Sequence, residues 1–177
     1  EGIRSNSIYS LLVDDRGAVW VGHFQAGLDY SLYQNGLFRT YAYPPSFNSA
    51  NLSIRSFISR GQEKVIGSRD GLFYINEATG IVKSFVKPVL TSDLILTISF
   101  YQGEYYIGTY GGGMMVLNPE TLSLKYFAQS DTELFQKGHI FCVKPDTKGN
   151  LWIGTSQGLF SYNGQAKQIK HFTSANS

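Results

Sequence analysis

Short apolar runs separated by glycine-containing turns follow one another along the chain. The first two runs are Ile8–Val13 and Val19–Gly22, and the turn Asp14–Gly17 separates them. Runs of this length, rich in β-branched and aromatic residues and bounded by Asp and Gly, predict β-strands joined by tight turns. We find no apolar stripe of useful length with the i, i+3, i+4, i+7 spacing of an amphipathic helix. The pattern therefore predicts an all-β chain.

The apolar runs recur with a nearly constant period. Each of four segments has an opening isoleucine and, further on, a glycine at the end of its second apolar run. The isoleucines are 46, 41 and 45 residues apart, at Ile8, Ile54, Ile95 and Ile140. The glycines are 45, 41 and 46 residues apart, at Gly22, Gly67, Gly108 and Gly154. A period of roughly 40–50 residues that is rich in short strands is the signature of a β-propeller.

Each repeat divides into four strands, which we call a, b, c and d in chain order. The connection between strands b and c is the b–c turn, and the connection from strand d to the next strand a is the crossing segment. One four-stranded sheet cannot bury both of its faces, so neighbouring blades are expected to pack face to face. The predicted fold is an all-β β-propeller with four blades of four antiparallel strands each, over residues 8–41, 54–85, 95–127 and 140–172.

Aromatic side chains are the predicted filling between blades. They are Trp20, Trp152, Phe73 and Phe160, with the aromatic residue that ends each repeat, namely Tyr41, Phe85, Phe127 and Phe172. The four repeat glycines are expected to end strand b where the chain bends over the rim. Cys142 lies inside the apolar run Ile140–Val143 and is expected to be a small buried hydrophobe.

Both ends of the chain resemble a crossing segment. Phe172–Ser177 is similar to Asn48–Ser53, which directly precedes Ile54, and Ser5–Ser7 precedes Ile8 in the same way. We therefore expect the chain to be a fragment of a larger propeller, with the remaining blades of that propeller as its partners.

Composition and charge exclude several classes of function. The net charge is +2, and only 16% of the residues are charged. This charge is too small, and the lysines and arginines too scattered, for binding to nucleic acid or an anionic membrane. No apolar run approaches the roughly 18 residues of a membrane span, so direct membrane insertion is not expected. The single cysteine excludes a disulfide framework and a cysteine-based metal site within one chain.

Two repeats carry a recognisable motif. Asp146–Leu159 reads Asp-Thr-Lys-Gly-Asn-Leu-Trp-Ile-Gly-Thr-Ser-Gln-Gly-Leu, and Asp14–Leu28 is the next best copy, with His23 in place of threonine. This motif resembles the two-component regulator propeller repeat. The second and third repeats are degenerate, since Val65 and Tyr106 replace the tryptophan.

The resemblance implies a function. Proteins with this repeat are typically hybrid sensor kinases whose periplasmic propellers are followed by a further β-domain, a membrane span and a kinase, and many respond to plant or host oligosaccharides. The resemblance therefore implies a periplasmic sensing segment of a bacterial two-component protein. Its expected partners are an oligosaccharide ligand and the signalling domains of the parent chain.

The b–c turns supply the candidate ligand-binding residues. In a propeller these turns share a face with the crossing segments around a central funnel. Aromatic rings there can stack on a sugar while polar side chains bind its hydroxyl groups. The candidates are His23, Phe24, Gln25, Arg69, Asp70, Tyr110, Ser156 and Gln157.

Neither a metal nor a cofactor is expected. His23, His139 and His171 fall in different repeats and lack the spacing of a zinc site. The glycine run Gly111–Gly113 lacks the lysine and the helix of a phosphate-binding loop, so it is predicted to be the b–c turn of the third repeat.

Three functions are compatible with the sequence. The first is a sensor that binds a glycan. The second is an enzyme similar to streptogramin lyases, which are propellers with related repeats and a histidine, an acid and a metal on the funnel face; His23 and Asp70 would supply part of such a site. The third is a scaffold for protein partners or for a homodimer. Because the sequence contains no catalytic constellation, the prediction is a binding module and not an enzyme.

Overall fold

The structure, a computed structural model, describes residues 2–31, 37–42, 52–127 and 133–175 of the 177-residue chain. It contains four antiparallel sheets of four strands, one for each repeat, with the strands hydrogen-bonded in chain order. Residues 32–36 of the first predicted blade lie outside the described residues, as do residues 48–51 and 176–177 of the predicted crossing segments.

The strands of the four blades are as follows. Blade 1 contains β1 (Ile8–Val13), β2 (Val19–His23), β3 (Leu28–Ser31) and β4 (Phe38–Thr40). Blade 2 contains β5 (Ile54–Arg60), β6 (Glu63–Ser68), β7 (Leu72–Asn76) and β8 (Ile81–Phe85). Blade 3 contains β9 (Ile95–Tyr101), β10 (Glu104–Thr109), β11 (Met114–Leu117) and β12 (Leu124–Tyr126). Blade 4 contains β13 (Ile140–Pro145), β14 (Asn150–Thr155), β15 (Gly158–Asn163) and β16 (Gln168–Phe172).

One short helix, α1 (Leu134–Lys137), lies in the crossing segment before blade 4. It buries the side chains of Leu134 and Phe135 in the core beside that blade. A single helical turn is too short to produce a visible 3.6-residue period, so the hydrophobic pattern did not predict it.

An aspartate closes the turn between strands a and b in blade 1 and also holds the tryptophan of strand b. Asp14 Oδ1 accepts hydrogen bonds from the backbone N–H groups of Arg16 and Ala18 at 3.0 and 2.9 Å, and Oδ2 accepts one from Trp20 Nε1–H at 2.9 Å. Burial by itself raises the pKa of Asp14, but the hydrogen bonds from Trp20, Ala18 and Arg16 outweigh it and hold the pKa below its usual range.

Blade 4 repeats this arrangement. Asp146 accepts hydrogen bonds from the backbone N–H groups of Lys148 and Asn150, both at 2.8 Å, and from Trp152 Nε1–H at 2.9 Å. The hydrogen bonds from Asn150 and Trp152 hold the pKa of Asp146 well below its usual range. The Asp-x-x-Gly-x-x-Trp part of the motif is thus a turn closed by one carboxylate that also fixes an indole ring.

The chain divides into two compact units, residues 1–86 with blades 1 and 2, and residues 87–177 with blades 3 and 4. In the first unit, the Trp20 ring of blade 1 lies 5.0 Å from the Phe57 ring of blade 2. The two blades therefore pack face to face, as the repeat predicts. The core of this unit contains Ala18, Trp20, Leu28, Leu52, Ile54, Phe57, Ile66, Phe73 and Ile75.

A buried lysine adds to this contact between blades 1 and 2. Lys64 of blade 2 is almost fully buried, and its Nζ lies 5.7 Å from the centre of the Trp20 ring. The same Nζ lies 2.5 Å from a carboxylate oxygen of Glu77. The ammonium group thus has both a counter-charge and an aromatic face, which a buried charge requires.

The second unit has its own core between blades 3 and 4. Phe127, Phe135, Phe160 and Tyr162 make edge-to-face contacts, with ring centres 5.0 to 5.2 Å apart for three of the pairs. The buried residues of this core are Tyr101, Tyr106, Met114, Val116, Phe127, Leu134, Phe135, Ile140, Val143, Leu151, Ile153, Phe160 and Tyr162.

The repeat glycines have a different role from the predicted one. Gly22 and Gly108 lie inside β2 and β10 and do not mark a bend at the rim. A Cβ atom on Gly108 would lie 2.6 Å from Thr97 Cγ2 on strand a of the same blade and 2.7 Å from Ile140 Cγ2 of blade 4. Glycine is needed at this position because three strands approach one another too closely for a side chain.

One face of blade 4 is open, and two predictions fail there. Cys142 is exposed and not buried, and Trp152 is only half-buried, whereas Trp20 is 4% exposed. The reason is that no blade lies against Trp152 among the described residues of this unit, while Phe57 of blade 2 covers Trp20. Phe73, Phe85, Phe127 and Phe160 are buried as predicted, and Tyr41 and Phe172 are half-buried.

Candidate ligand-binding site

One backbone hydrogen bond holds each b–c turn against the start of strand a. In every blade the first residue after strand b donates its N–H to the carbonyl of the residue just before the opening isoleucine. The four bonds are Phe24 to Ser7 at 3.0 Å, Arg69 to Ser53 at 3.2 Å, Tyr110 to Leu94 at 3.0 Å and Ser156 to His139 at 3.2 Å. The b–c turn and the end of the crossing segment therefore lie side by side in each blade.

A hydroxyl group closes the b–c turn in three blades. Ser68, Thr109 and Thr155 each end strand b, and each accepts a hydrogen bond from a backbone N–H in the turn. The same hydroxyl donates to the carbonyl of a glycine at the end of the turn, namely Gly71, Gly113 or Gly158. The threonine of the repeat motif thus stabilises the b–c turn, on which the candidate residues lie.

Blade 1 departs from this arrangement because His23 replaces the hydroxyl residue. The His23 ring has no exposed surface, and its Nε2 lies 2.9 Å from Asp29 Oδ2. Arg4 Nε donates to Asp29 Oδ1 at 2.8 Å, and the Arg4 backbone N–H donates to Oδ2 at 2.9 Å. Burial by itself raises the pKa of Asp29, but the hydrogen bonds and the charge of Arg4 outweigh it and lower the pKa below its usual range.

His23 therefore does not belong to the exposed candidate surface. Its acidic partner is Asp29 of β3, not Asp70, the partner in the enzyme hypothesis. Its Nδ1 is buried without a hydrogen-bond partner among the described residues. No group of three or more His, Cys, Asp or Glu side chains that could hold a metal ion occurs in the described ranges.

Strand a carries a β-bulge directly after its opening isoleucine in all four blades. The pairing with strand b shifts by one residue at this point in β1, β5, β9 and β13. A bulge leaves one residue out of the ladder and changes the direction of its side chain. The bulge residues are Tyr9, Arg55, Leu96 and Phe141.

In the first unit, the bulge residues and the b–c turn form a cluster of Tyr9, Phe24 and Arg55, which we call the first aromatic cluster. The ring centres of Tyr9 and Phe24 lie 5.2 Å apart with the planes at 46°. The guanidinium carbon of Arg55 lies 4.8 Å from the centre of the Tyr9 ring. Tyr9 is 44% exposed, so this cluster presents an aromatic surface and a cation to solvent.

In the second unit, the corresponding cluster consists of Tyr110, His139 and Phe141, which we call the second aromatic cluster. The rings of Tyr110 and His139 are stacked with centres 4.0 Å apart and planes at 29°. Phe141 continues the stack, with its ring centre 6.2 Å from that of His139. Tyr110 and Phe141 are 51% and 49% exposed, and His139 Nδ1 is buried without a hydrogen-bond partner among the described residues.

The structure distributes the other candidate residues between the two units. Phe24 belongs to the first aromatic cluster and Tyr110 to the second, and the remaining polar candidates are exposed on the b–c turns at Gln25, Arg69, Asp70, Ser156 and Gln157. The sequence analysis missed Tyr9, Arg55, His139 and Phe141. Three of them, Tyr9, Arg55 and Phe141, are bulge residues, and their residue types gave no signal of the bulge.

A cavity of about 270 Å³ lies on the open face of blade 4. Its wall includes Trp152 and Phe172, whose ring centres are 5.9 Å apart, together with Asn150, Asn163 and Gln168. The equivalent face of blade 1, with Trp20, is covered by blade 2. This cavity therefore lies on a surface that elsewhere in the chain serves for contact between blades.

Comparison with protein-family models decides which repeat this is. The model described as two component regulator propeller matches residues 2–25 and residues 135–157. Two segments of the chain therefore match the repeat of this family. Both matched segments contain the Asp–Trp pair described above, Asp14 with Trp20 and Asp146 with Trp152.

Solved structures show which proteins the chain is similar to. It is 26% identical, with a TM-score of 0.72, to the extracellular domain of BT3049 from B. thetaiotaomicron, which is described as a hybrid two component system. It is 18% identical, with a TM-score of 0.60, to the extracellular domain of BT4673 from the same organism. It is 15% identical, with a TM-score of 0.69, to PorZ of Porphyromonas gingivalis, a bacterial surface component of the type-IX secretion system.

These similarities confirm the predicted resemblance to the two-component regulator propeller repeat and the predicted propeller fold. The matches cover 96–97% of the chain but only 24–28% of the solved chains. The chain thus spans about a quarter of the length of these structures. None of the curated proteins compared with it matches. Within the described residues, no helix is long and apolar enough to cross a membrane.

Proposed function

We propose that this chain is an extracytoplasmic ligand-sensing segment of a bacterial two-component signalling protein, placed in the periplasm, and that its ligand is a glycan. The observation that carries the proposal is the grouping of exposed aromatic rings at the b–c turns in both units. Tyr9 and Phe141 are bulge residues of strand a, and Phe24 and Tyr110 are the first residues after strand b. The parent chain is proposed to supply further blades and the signalling domains.

The family and the solved structures support the sensing role. The solved parts of BT3049 and BT4673 are described as the extracellular domains of a hybrid two component system and a one component system, respectively. The chain shares their fold over nearly its whole length. A sensing segment needs a surface that binds a ligand and a fold that transmits the change.

The chemistry of the clusters supports a glycan. The flat apolar faces of Tyr9 and Tyr110 suit the C–H face of a pyranose ring. Tyr9 packs against the tilted ring of Phe24, and Tyr110 stacks on His139. Gln25 and Gln157 are exposed on the b–c turns and can donate to and accept from sugar hydroxyls. The arrangement of rigid rings beside amide groups is typical of a ligand site with few polar contacts.

The test is calorimetric titration of the chain with a panel of plant and host oligosaccharides. We expect at least one to bind, and we expect Phe24→Ala or Tyr110→Ala to weaken that binding about three- to tenfold by removing a stacking surface. Tyr126→Ala is the matched control, because Tyr126 is 48% exposed on β12, outside both clusters. Failure of every glycan to bind, or equal loss with Tyr126→Ala, would refute the proposal.

Association through a sheet face is the second candidate function, and the exposure of strand a in blade 1 favours it. Leu11 is 67% exposed, whereas Phe57, Ile98 and Val143 at the equivalent position in the other blades are at most 8% exposed. The open face with Leu11, and the open face with Trp152, would suit a further blade or a second copy in a homodimer. Sedimentation of the chain at increasing concentration tests the homodimer, and a monomer throughout would exclude it.

A further inference from the structure

We propose that the glycan bound at the first aromatic cluster is acidic, and that Arg55 recognises its carboxylate or sulfate group. This inference rests on the proposed glycan-binding function and adds the class of ligand. It follows from the surroundings of the Arg55 guanidinium group, which differ from those of Arg4 and Arg16.

Arg55 is a half-buried cation that has no ion-pair partner among the described residues. Its Nε is buried and has no hydrogen-bond partner among the described residues, and no carboxylate of those residues forms an ion pair with it. By contrast, Arg4 pairs with Asp29, and Arg16 lies 3.8 Å from Asp14. A buried donor without a partner destabilises the fold, so it is retained at low cost only where something else satisfies it.

The position of Arg55 directs it to a ligand. Arg55 is the bulge residue of blade 2, and the bulge takes its side chain out of the sheet ladder. Its guanidinium carbon lies 4.8 Å from the centre of the Tyr9 ring in blade 1, and Phe24 of the same blade packs against that ring. The Tyr9 ring limits where the guanidinium can lie before a ligand arrives, and the planar guanidinium can donate two parallel hydrogen bonds to a carboxylate or a sulfate.

The same cluster supplies the rest of the sugar site. A sugar whose acidic group meets Arg55 would place its ring beside Tyr9 and Phe24. The b–c turn of blade 2 adds Arg69 and Asp70, which are both exposed. Their opposite charges sum to zero, so the net positive charge of these three residues is that of Arg55.

The second aromatic cluster provides an internal contrast. The bulge residues of the second unit are Leu96 and Phe141, so no arginine occupies these positions. Its ring stack of Tyr110, His139 and Phe141 can therefore bind a neutral sugar, but it lacks a permanent cation for an acidic one. Recognition of the acidic group is thus assigned to the first unit.

The experiment is a titration of the full chain with matched acidic and neutral glycans. The acidic set contains oligogalacturonate and a heparin oligosaccharide, the neutral set contains methyl-esterified oligogalacturonate and galactan oligosaccharides, and sodium sulfate alone is a further arm. We expect an acidic glycan to bind at least about tenfold more tightly than the neutral ones, and its binding to weaken with added salt. Binding of sodium sulfate with the same affinity would show a simple anion site and refute sugar recognition.

Variants assign the effect to Arg55. Arg55→Gln should reduce binding of the acidic glycan about tenfold or more and reduce binding of neutral glycans by a clearly smaller factor, while Arg55→Lys should weaken acidic binding less than Arg55→Gln because it keeps the charge but loses the planar fork. Arg39→Ala is the matched control, since Arg39 is exposed on β4. Circular dichroism and the melting temperature confirm that each variant is folded.

The outcomes separate this inference from the proposed function. If neutral glycans bind and acidic ones bind no better, or if Arg55→Gln leaves acidic binding intact, the acidic ligand is refuted and the glycan sensor stands. If no glycan of either set binds, both are refuted.

Discussion

At the scale of single residues, one carboxylate organises the most recognisable part of the repeat. Asp14 accepts three hydrogen bonds, two from the turn and one from Trp20. The Trp20 indole N–H is buried with its ring, so it depends on this carboxylate for its hydrogen bond. The aspartate and the tryptophan of the motif are therefore one structural unit, and neither has to contact a ligand.

Replacing this carboxylate should destabilise the chain. We expect Asp14→Ala to lower the free energy of unfolding by about 2–4 kcal/mol, because it leaves a buried indole N–H without an acceptor and opens the turn. Urea unfolding followed by tryptophan fluorescence measures the change. Asp15→Ala is the control: Asp15 is exposed, and its loss should change stability by less than about 0.5 kcal/mol. Equal effects of the two variants would contradict the role given to Asp14.

The same carboxylates predict how stability depends on pH. The pKa values of Asp14, Asp29 and Asp146 are lower in the folded chain than the ordinary value of 3.8. Because the folded pKa is depressed, the stabilisation is fully present above pH 3.8 and is lost as the pH falls through the folded pKa values. The melting temperature should therefore fall steeply below about pH 4, and less steeply in Asp14→Asn. A melting temperature that stays constant from pH 5 to pH 2 would contradict this.

At the scale of strands, the repeat glycines set how closely neighbouring strands approach. Gly108 meets both Thr97 of its own blade and Ile140 of the next, whereas Gly154 meets only the Sγ atom of Cys142, an exposed side chain that can move. The same residue type in the same repeat position is thus constrained differently, according to whether another blade covers it.

Alanine at these two glycines should have unequal effects. We expect Gly108→Ala to destabilise the chain by about 1–3 kcal/mol through overpacking, and Gly154→Ala to cost clearly less. Denaturant unfolding of the two variants provides the comparison. A larger loss for Gly154→Ala would mean that the strand spacing, and not the covering blade, determines the requirement for glycine.

The strands also show what the sequence could and could not predict. The recurring isoleucine and glycine mark strands a and b, so their spacing was enough to predict four blades. The bulge could not be predicted from residue type, because Tyr9, Arg55, Leu96 and Phe141 share no chemistry. The burial of His23 could not be predicted either, since it depends on Asp29 across the hairpin and on Arg4 from the segment before β1.

At the scale of the molecule, each unit has its own core, and each has a tryptophan in the same repeat position. Trp20 is enclosed by Phe57 and Lys64, and Trp152 borders an open cavity. The prediction of both as buried filling was right for the first and wrong for the second. A repeat in the sequence specifies the position of a side chain in its own blade, whereas its burial depends on the neighbouring blade.

This difference should appear in stability. We expect Trp20→Ala to lower the free energy of unfolding of its unit by about 3–5 kcal/mol, the usual cost of truncating a buried tryptophan, and Trp152→Ala to cost substantially less. Far-ultraviolet circular dichroism during urea unfolding detects both losses without relying on the removed fluorophore. Equal losses would indicate that Trp152 is covered in solution.

The backbone bond between the b–c turn and the start of strand a has a consequence for how ligand preference could change. It uses only an amide and a carbonyl group, and it forms whether the donor residue is Phe24, Arg69, Tyr110 or Ser156. Side chains at these sites can therefore be exchanged without altering the framework that displays them. Grafting the residues of one blade onto another is a direct route to a propeller with a new specificity, and the chain offers four equivalent positions for such exchanges.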